Sequence, residues 1–171
     1  MVKYIYRDLV TAFGYLPYGL ALGIPLSAAL VLIAVFFLRK RERQTFIPLI
    51  AFGLYLAILL VITFLSRESG SNPGTVDLEL FSTWGINDRN NAFVVENVLL
   101  FIPYGFLSSC AFGKLRNFFS CMLFGAMTSM VVECLQLVTA RGYFQIDDIL
   151  TNILGTVVGY LLFLLFVGKS D

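Results

Sequence analysis

No histidine occurs anywhere in the 171 residues. The usual general base and the commonest transition-metal ligand are therefore both absent, which excludes Ser-His-Asp and Cys-His catalysis and His-ligated zinc hydrolysis. Cysteine is scarce as well. Cys110, Cys121 and Cys134 are odd in number and all fall inside apolar runs, so they read as small buried apolar residues and supply neither a disulfide framework nor a metal-ligand spacing. Only 13% of the residues are charged, against roughly 25% in soluble domains. A formal net charge of +1 creates no large field of one sign, so neither nucleic acid nor an acidic soluble partner is implied. What is abundant is apolar surface: 58% of the chain is hydrophobic and 15% aromatic, the composition of a membrane protein whose partners are lipid or lipid-like.

A spanning helix needs about 20 mostly apolar residues. Five runs qualify: Tyr18 to Leu38, Phe46 to Leu65, Val94 to Phe112, Phe118 to Val138 and Ile149 to Val167. The expected fold class is an all-α integral membrane protein, a bundle of about five transmembrane helices. The first two runs are free of charge, whereas the last three carry or adjoin polar residues. Basic residues in short loops set orientation. "RKRER" (Arg39 to Arg43) follows the first span, "KLR" (Lys114 to Arg116) the third and Lys169 the fifth, which places seven basic residues on one side and five on the other. The dense four-residue cluster decides the margin, so the N-terminus is expected outside and the C-terminus in the cytoplasm.

Ahead of the first span, "MVKYIYRDLV" followed by an apolar run ending near Ser27 to Ala29 has the outline of a secretory signal. The apolar run continues unbroken to Leu38, so cleavage is not expected. Residues 1 to 17 suit an interfacial helix instead, since Lys3 and Arg7 lie one turn apart in a segment rich in Tyr, Ile and Leu. The longest connection, Ser66 to Phe93, is long enough to suggest local order of its own. Within it "SNPG" reads as a turn, "VDLELF" alternates as an interfacial strand or amphipathic segment would, and Trp84 suits the headgroup level. A solvated connector with an interface anchor is the plainer account of the same loop.

With the N-terminus outside, Glu96, Asn97, Glu133, Gln136, Arg141, Asp147, Asp148 and Asn152 all fall within about two helical turns of one membrane surface. Asp148 and Asn152 share a helical face on which Gly155 and Gly159 follow; Glu133 and Gln136 share another; Asn97, Phe101 and Gly105 form a stripe beside Pro103. "GTVVG" (Gly155 to Gly159) has the small-xxx-small form and is read as packing within the chain. Ionisable groups in a span cost roughly 2.5 kcal/mol or more and face a partner or a watery cavity. Structural glue accounts for part of the cluster, with a carboxylate paired to Arg141 and the amides tying helices together. Four carboxylates exceed what one nearby arginine can pair, and the excess points to a bound cation, a shared proton, or a cationic or hydroxyl-bearing ligand.

"NVLLFIPYGF" (Asn97 to Phe106) and "ECLQLVTARGYFQIDDILTNILGTVVGY" (Glu133 to Tyr160) together resemble the VanZ-like family. Its pattern runs N-x-x-x-F-x-P-x-G, then E-x-x-Q, an Arg, and D-x-x-x-N-x-x-G. The matching positions are Asn97, Phe101, Pro103, Gly105, Glu133, Gln136, Arg141, Asp148, Asn152 and Gly155. Pro-Tyr-Gly stands where Pro-Leu-Gly is commoner. The resemblance covers roughly residues 50 to 167 and divides the chain into an N-terminal interfacial segment with an additional span (1–45) and a VanZ-like four-helix membrane domain (46–171). It implies a multi-pass protein of the bacterial plasma membrane, linked through the family's namesake to resistance to the glycopeptide antibiotic teicoplanin.

Three readings of the cluster Asn97, Glu133, Gln136, Arg141, Asp148 and Asn152 follow, with Glu96, Asp147, Arg67 and Arg89 as secondary members. In the first it engages an antibiotic, a lipid headgroup or a lipid-linked wall precursor and alters its availability without chemistry. In the second, paired carboxylates act as acid and base, or Glu133 and Asp148 hold a divalent cation such as Mg²⁺ or Ca²⁺ against a phosphate of a lipid-linked substrate. In the third the carboxylates relay protons or cations in a small transporter. Few cations surround the cluster, which weakens the phosphate enzyme, and the two halves show no internal repeat, which weakens the transporter.

Overall fold

A computed structural model describes residues 1–37, 43–65 and 75–168. Among them five helices are long and apolar enough to cross a membrane. They are α1 (Val2–Phe36), α2 (Arg43–Leu60), α3 (Asp88–Ala111), α4 (Phe118–Val138) and α5 (Ile146–Phe166). The expected all-α bundle is what forms. The "RKRER" loop, "SNPG", Arg67 and Lys169 lie wholly or largely outside the described residues.

The termini of these helices follow from local chemistry. α1 is a single 35-residue helix that includes residues 2–17 and carries Pro17 and Pro25 in its interior. Membrane helices tolerate such prolines because neighbouring groups satisfy the freed carbonyls. α3 starts at Asp88, ahead of the apolar run beginning at Val94, because the Asn87 side chain accepts from the Asn90 amide at 2.9 Å. Asn117 caps α4 in the same way through the Ser120 amide, at 3.2 Å. The end of α4 is a Schellman-type stop: the Arg141 amide reaches the Gln136 carbonyl at 2.9 Å and the Ala140 amide reaches Leu137 at 3.2 Å. Ala140 takes the left-handed conformation, φ 52°, usually given to glycine there.

α3 lies at the centre, packed most closely on α5 and also against α2 and α4, while α1 lies along α2. Backbones meet wherever glycine faces a partner helix. A Cβ at Gly105 would strike the Thr156 carbonyl; Cβ atoms at Gly155 and Gly159 would strike the carbonyls of Val98 and Ile102. Both glycines of "GTVVG" are thus used against α3 within the chain. Around this seam sits an aromatic core in which Phe52 lies 5.6 Å from Tyr104 and 5.3 Å from Phe112, centroid to centroid. These span aromatics face one another between the helices, because edge-to-face ring packing is available wherever helices leave a wide gap. The reading of cysteine is corrected: Cys121 is buried, Cys110 half-buried and Cys134 exposed on α4.

The segment before α3 does not stand off as a solvated connector. Val76–Asp77 (β1) pairs in parallel with Phe144–Gln145 (β2), in register Val76↔Phe144 and Asp77↔Gln145. Of "VDLELF" only the first two residues join this ladder; Leu78, Leu80 and Phe81 are exposed, as is Trp84.

Candidate functional site

The start of α1, the end of α2, the start of α3 and the α4–α5 turn come together at one end of the bundle, and the polar residues gather there. α2 ends in a π-helical turn, Val61–Leu65. Terminal carbonyls of a helix lack intrahelical donors, and here side chains from the end of α4 supply them. Gln136 Nε2 donates to the Thr63 carbonyl at 2.8 Å, and Arg141 Nη1 donates to Phe64 O at 3.3 Å with its guanidinium 5.0 Å above the Phe64 ring. Gln136 and Arg141 therefore tie α4 to α2. The Schellman turn aims Arg141 at that carbonyl end, where a cation is electrostatically favoured.

Glu133 is 2% exposed, and its Oε2 accepts from the Gln145 amide at 3.1 Å. Gln145 is the N-cap residue of α5, so Glu133 places its charge at the positive end of that helix. Asp147 and Asp148 stand in the first turn of the same helix. The N-cap residue Gln145 makes no side-chain capping bond. Asp147, only 5% exposed, accepts from the amides of Phe81 (2.8 Å) and Thr83 (2.9 Å) with its two oxygens. It clamps the loop over the α4–α5 turn and holds Phe81 in a left-handed conformation, φ 61°. Asp77 steadies the same loop, accepting from Ser82 Oγ and the Glu79 amide; these donors hold its carboxyl below the ordinary Asp range.

One turn deeper, Asn152 is 5% exposed and donates through Nδ2 to Ser129 Oγ at 2.8 Å. Ser129, Glu133 and Gln136 occupy one buried face of α4. Asn152 Oδ1 is buried and has no hydrogen-bond partner among the described residues. Glu133, Gln136, Asp147 and Asn152 are thus all sequestered at the junction of α4, α5, the loop and the end of α2, with Asp148 half-buried beside them.

Asn97 is placed differently. With Glu96 and Arg89 it lines a cavity of about 240 Å³ between α3, α1 and the end of α2. Thr63 contributes to that cavity too, and its carbonyl is the one Gln136 holds, so the two groups adjoin through one residue. Arg89 is ion-paired with Asp8 of α1. Sequence reasoning missed four participants. Ser129 lies one turn from Glu133, so extending that polar face would have found it; Asp8 lies one residue from Arg7; the Thr63 and Phe64 carbonyls carry no sequence signal at all. Among the described residues no three Cys, Asp or Glu side chains gather closely enough to hold a metal ion.

These features define a polytopic helical membrane protein with a sequestered acid and amide cluster at one end of its bundle. The VanZ/LLP1 family model matches residues 26–167, and the chain belongs to that family. It is 29% identical over 119 residues to Protein VanZ of Enterococcus faecium, an alignment covering 70% of this chain and 66% of that protein's length, a little under two thirds. No solved structure matches.

Proposed function

We propose that the protein acts at the outer face of a bacterial plasma membrane, where the α4–α5 cluster engages a teicoplanin-type glycopeptide, a lipid or a lipid-linked wall precursor and alters its availability without chemistry. The observation carrying this reading is Asn152, whose side-chain oxygen is buried without a donor among the described residues although its Nδ2 is bonded to Ser129. A buried acceptor left unmade costs about 1–3 kcal/mol. A ligand presenting hydroxyl, amide or ammonium hydrogens supplies the missing donor, and Glu133 and Asp148 lie in the same cluster to receive positive charge. Chemistry on a phosphate has less support, since the nearby guanidinium of Arg141 is used against α2.

Expression in a teicoplanin-sensitive bacterium tests the reading. Glu133→Gln and Asp148→Asn should each return the inhibitory concentration to that of the empty host while the protein still accumulates in the membrane, whereas Glu42→Gln should leave protection intact. If both variants fail to accumulate, the cluster is structural glue and the proposal fails. The outward orientation has its own test. In a chain lacking Cys110, Cys121 and Cys134, a membrane-impermeant thiol reagent should label Tyr143→Cys in whole cells and leave Lys114→Cys unlabelled, and the reverse pattern would invert the topology.

A further inference from the structure

The cavity beside Asn97 has a chemistry of its own. Asp8, Thr11 and Tyr15 of α1 face Arg89, Glu96 and Asn97 of α3 across it. Asp8 is engaged by two guanidinium groups, that of Arg89 and that of Arg7 at 3.3 Å. Arg89 is further held over the Phe93 ring, 4.1 Å from its centroid. Glu96 makes no ion pair of its own among the described residues: its carboxyl meets that of Asp8 within the field of Arg89 and Arg7, and its Oε1 is buried without a hydrogen-bond partner. The Thr11 hydroxyl gives its hydrogen to the Arg7 carbonyl at 3.0 Å and so faces the cavity as an acceptor. Tyr15 adds an aromatic wall.

An acceptor-rich hollow around a half-buried carboxylate takes a proton or a cation. Its volume of about 240 Å³ far exceeds the roughly 30 Å³ that one water occupies, so an organic cation fits. A divalent metal does not suit it, because Asp8 is already paired and, among the described residues, no third acid or thiol joins the two carboxylates. Depth adds the next constraint. The 35 residues of α1 extend about 52 Å at 1.5 Å per residue, against a hydrocarbon core of about 30 Å. The polar first turns of α1 therefore belong at the headgroup level. Beside the cavity, Lys3 and Arg7 border a second hollow, which suits a phosphate.

We propose that this cavity binds a primary ammonium group, with Glu96 as counter-anion and Thr11 and Asn97 as further acceptors, and that the ligand is an ethanolamine-type headgroup, lipid-borne or free. The site goes beyond the α4–α5 cluster and does not rest on its proposed role. Three of its walls, Asp8, Thr11 and Tyr15, precede the region the family model matches.

Thermophoresis of the purified full chain in mild detergent tests it with dihexanoyl phosphatidylethanolamine, its choline analogue and free ethanolamine. The ethanolamine lipid should bind about tenfold more tightly than the choline lipid, because a quaternary nitrogen cannot donate hydrogen bonds to Glu96. Glu96→Gln should weaken ethanolamine-lipid binding about tenfold, while Lys114→Gln at the opposite end binds as the unaltered chain. Free ethanolamine binding as well as the lipid marks a site for soluble amines, and much weaker binding marks a lipid site; both support the ammonium assignment. Equal affinity for the two lipids in the unaltered chain overturns it, however Glu96→Gln folds. Undiminished binding by a folded Glu96→Gln protein also overturns it, as expected if Glu96 merely holds a proton.

Discussion

Gly159→Leu should eliminate the folded protein. At Gly159 even a single added carbon would collide with the Ile102 carbonyl and come within 2.8 Å of the Phe106 nitrogen. Overpacking costs about 1–3 kcal/mol when side chains can move aside. Here the obstacle is the backbone of α3, in the most closely packed helix pair of the bundle, and it cannot yield without parting the helices. The expected cost therefore exceeds that range and consumes much of a typical stability of about 5–15 kcal/mol. Gly105→Leu should behave alike, since its obstacle is the backbone of Thr156. Gly14→Leu, with nothing within 4 Å, should be harmless apart from its own solvation. Gel filtration of fluorescently tagged membrane extracts measures this directly. A monodisperse Gly159→Leu peak at unaltered yield would show that α3 and α5 do not meet as described.

Asp147→Ala should release the loop that closes the site. The substitution strips the Phe81 and Thr83 amides of their acceptor, and Thr83 is itself buried. Hydrogen bonds to a charged group contribute about 1.5–3 kcal/mol each, so the two together set the closed state against the open one. In a chain whose native cysteines are replaced, Thr83→Cys should react slowly with a soluble maleimide and about 100-fold faster once Asp147→Ala is added. Asp147→Asn should fall between, because its amide keeps one acceptor oxygen and loses the other. Unchanged labelling in Asp147→Ala would mean that the short β1–β2 ladder holds the loop without it. Asp77 gives this closure its pH dependence. Its folded carboxyl titrates below the ordinary Asp value, so its contribution is complete above that value and is lost as pH falls through the depressed one. The ratio of the Thr83→Cys labelling rates with and without Asp147→Ala, in which the thiol's own ionisation cancels, should accordingly be flat from pH ~5 to ~8.

The loop shows where sequence reasoning stops. Composition and the alternation of "VDLELF" mark Ser66 to Phe93 as more than a spacer, yet which carboxylate receives it depends on two backbone amides. Backbone groups are the same in every residue and leave no trace in a pattern of side chains. For the same reason Asp147 reads as a helix-start acid from its position, although its oxygens turn to the loop. Gln136 and Arg141 stand out as polar residues near a membrane face, but their partners are the carbonyls of a π-helical turn. Nothing in "VITFL" announces that turn.

By itself the sequence determined that this chain lies in a membrane, that five helices cross it, that α4 and α5 carry their polar residues near one end, and to which family it belongs. Those properties are sums over many residues, apolar length and helical period above all, and a spacing motif retains its meaning before any folding is known. Tertiary structure alone decided which polar residues share a site. It set Asn97 and Glu96 on a cavity with Asp8 and Arg89, joined to the α4–α5 cluster through Thr63, and left Asn152 Oδ1 without a donor among the described residues. The cause is the close approach of α3 and α5 at Gly105, Gly155 and Gly159: once their backbones touch, the rotation of each helix is set, and with it which residues line a cavity and which are sealed between helices.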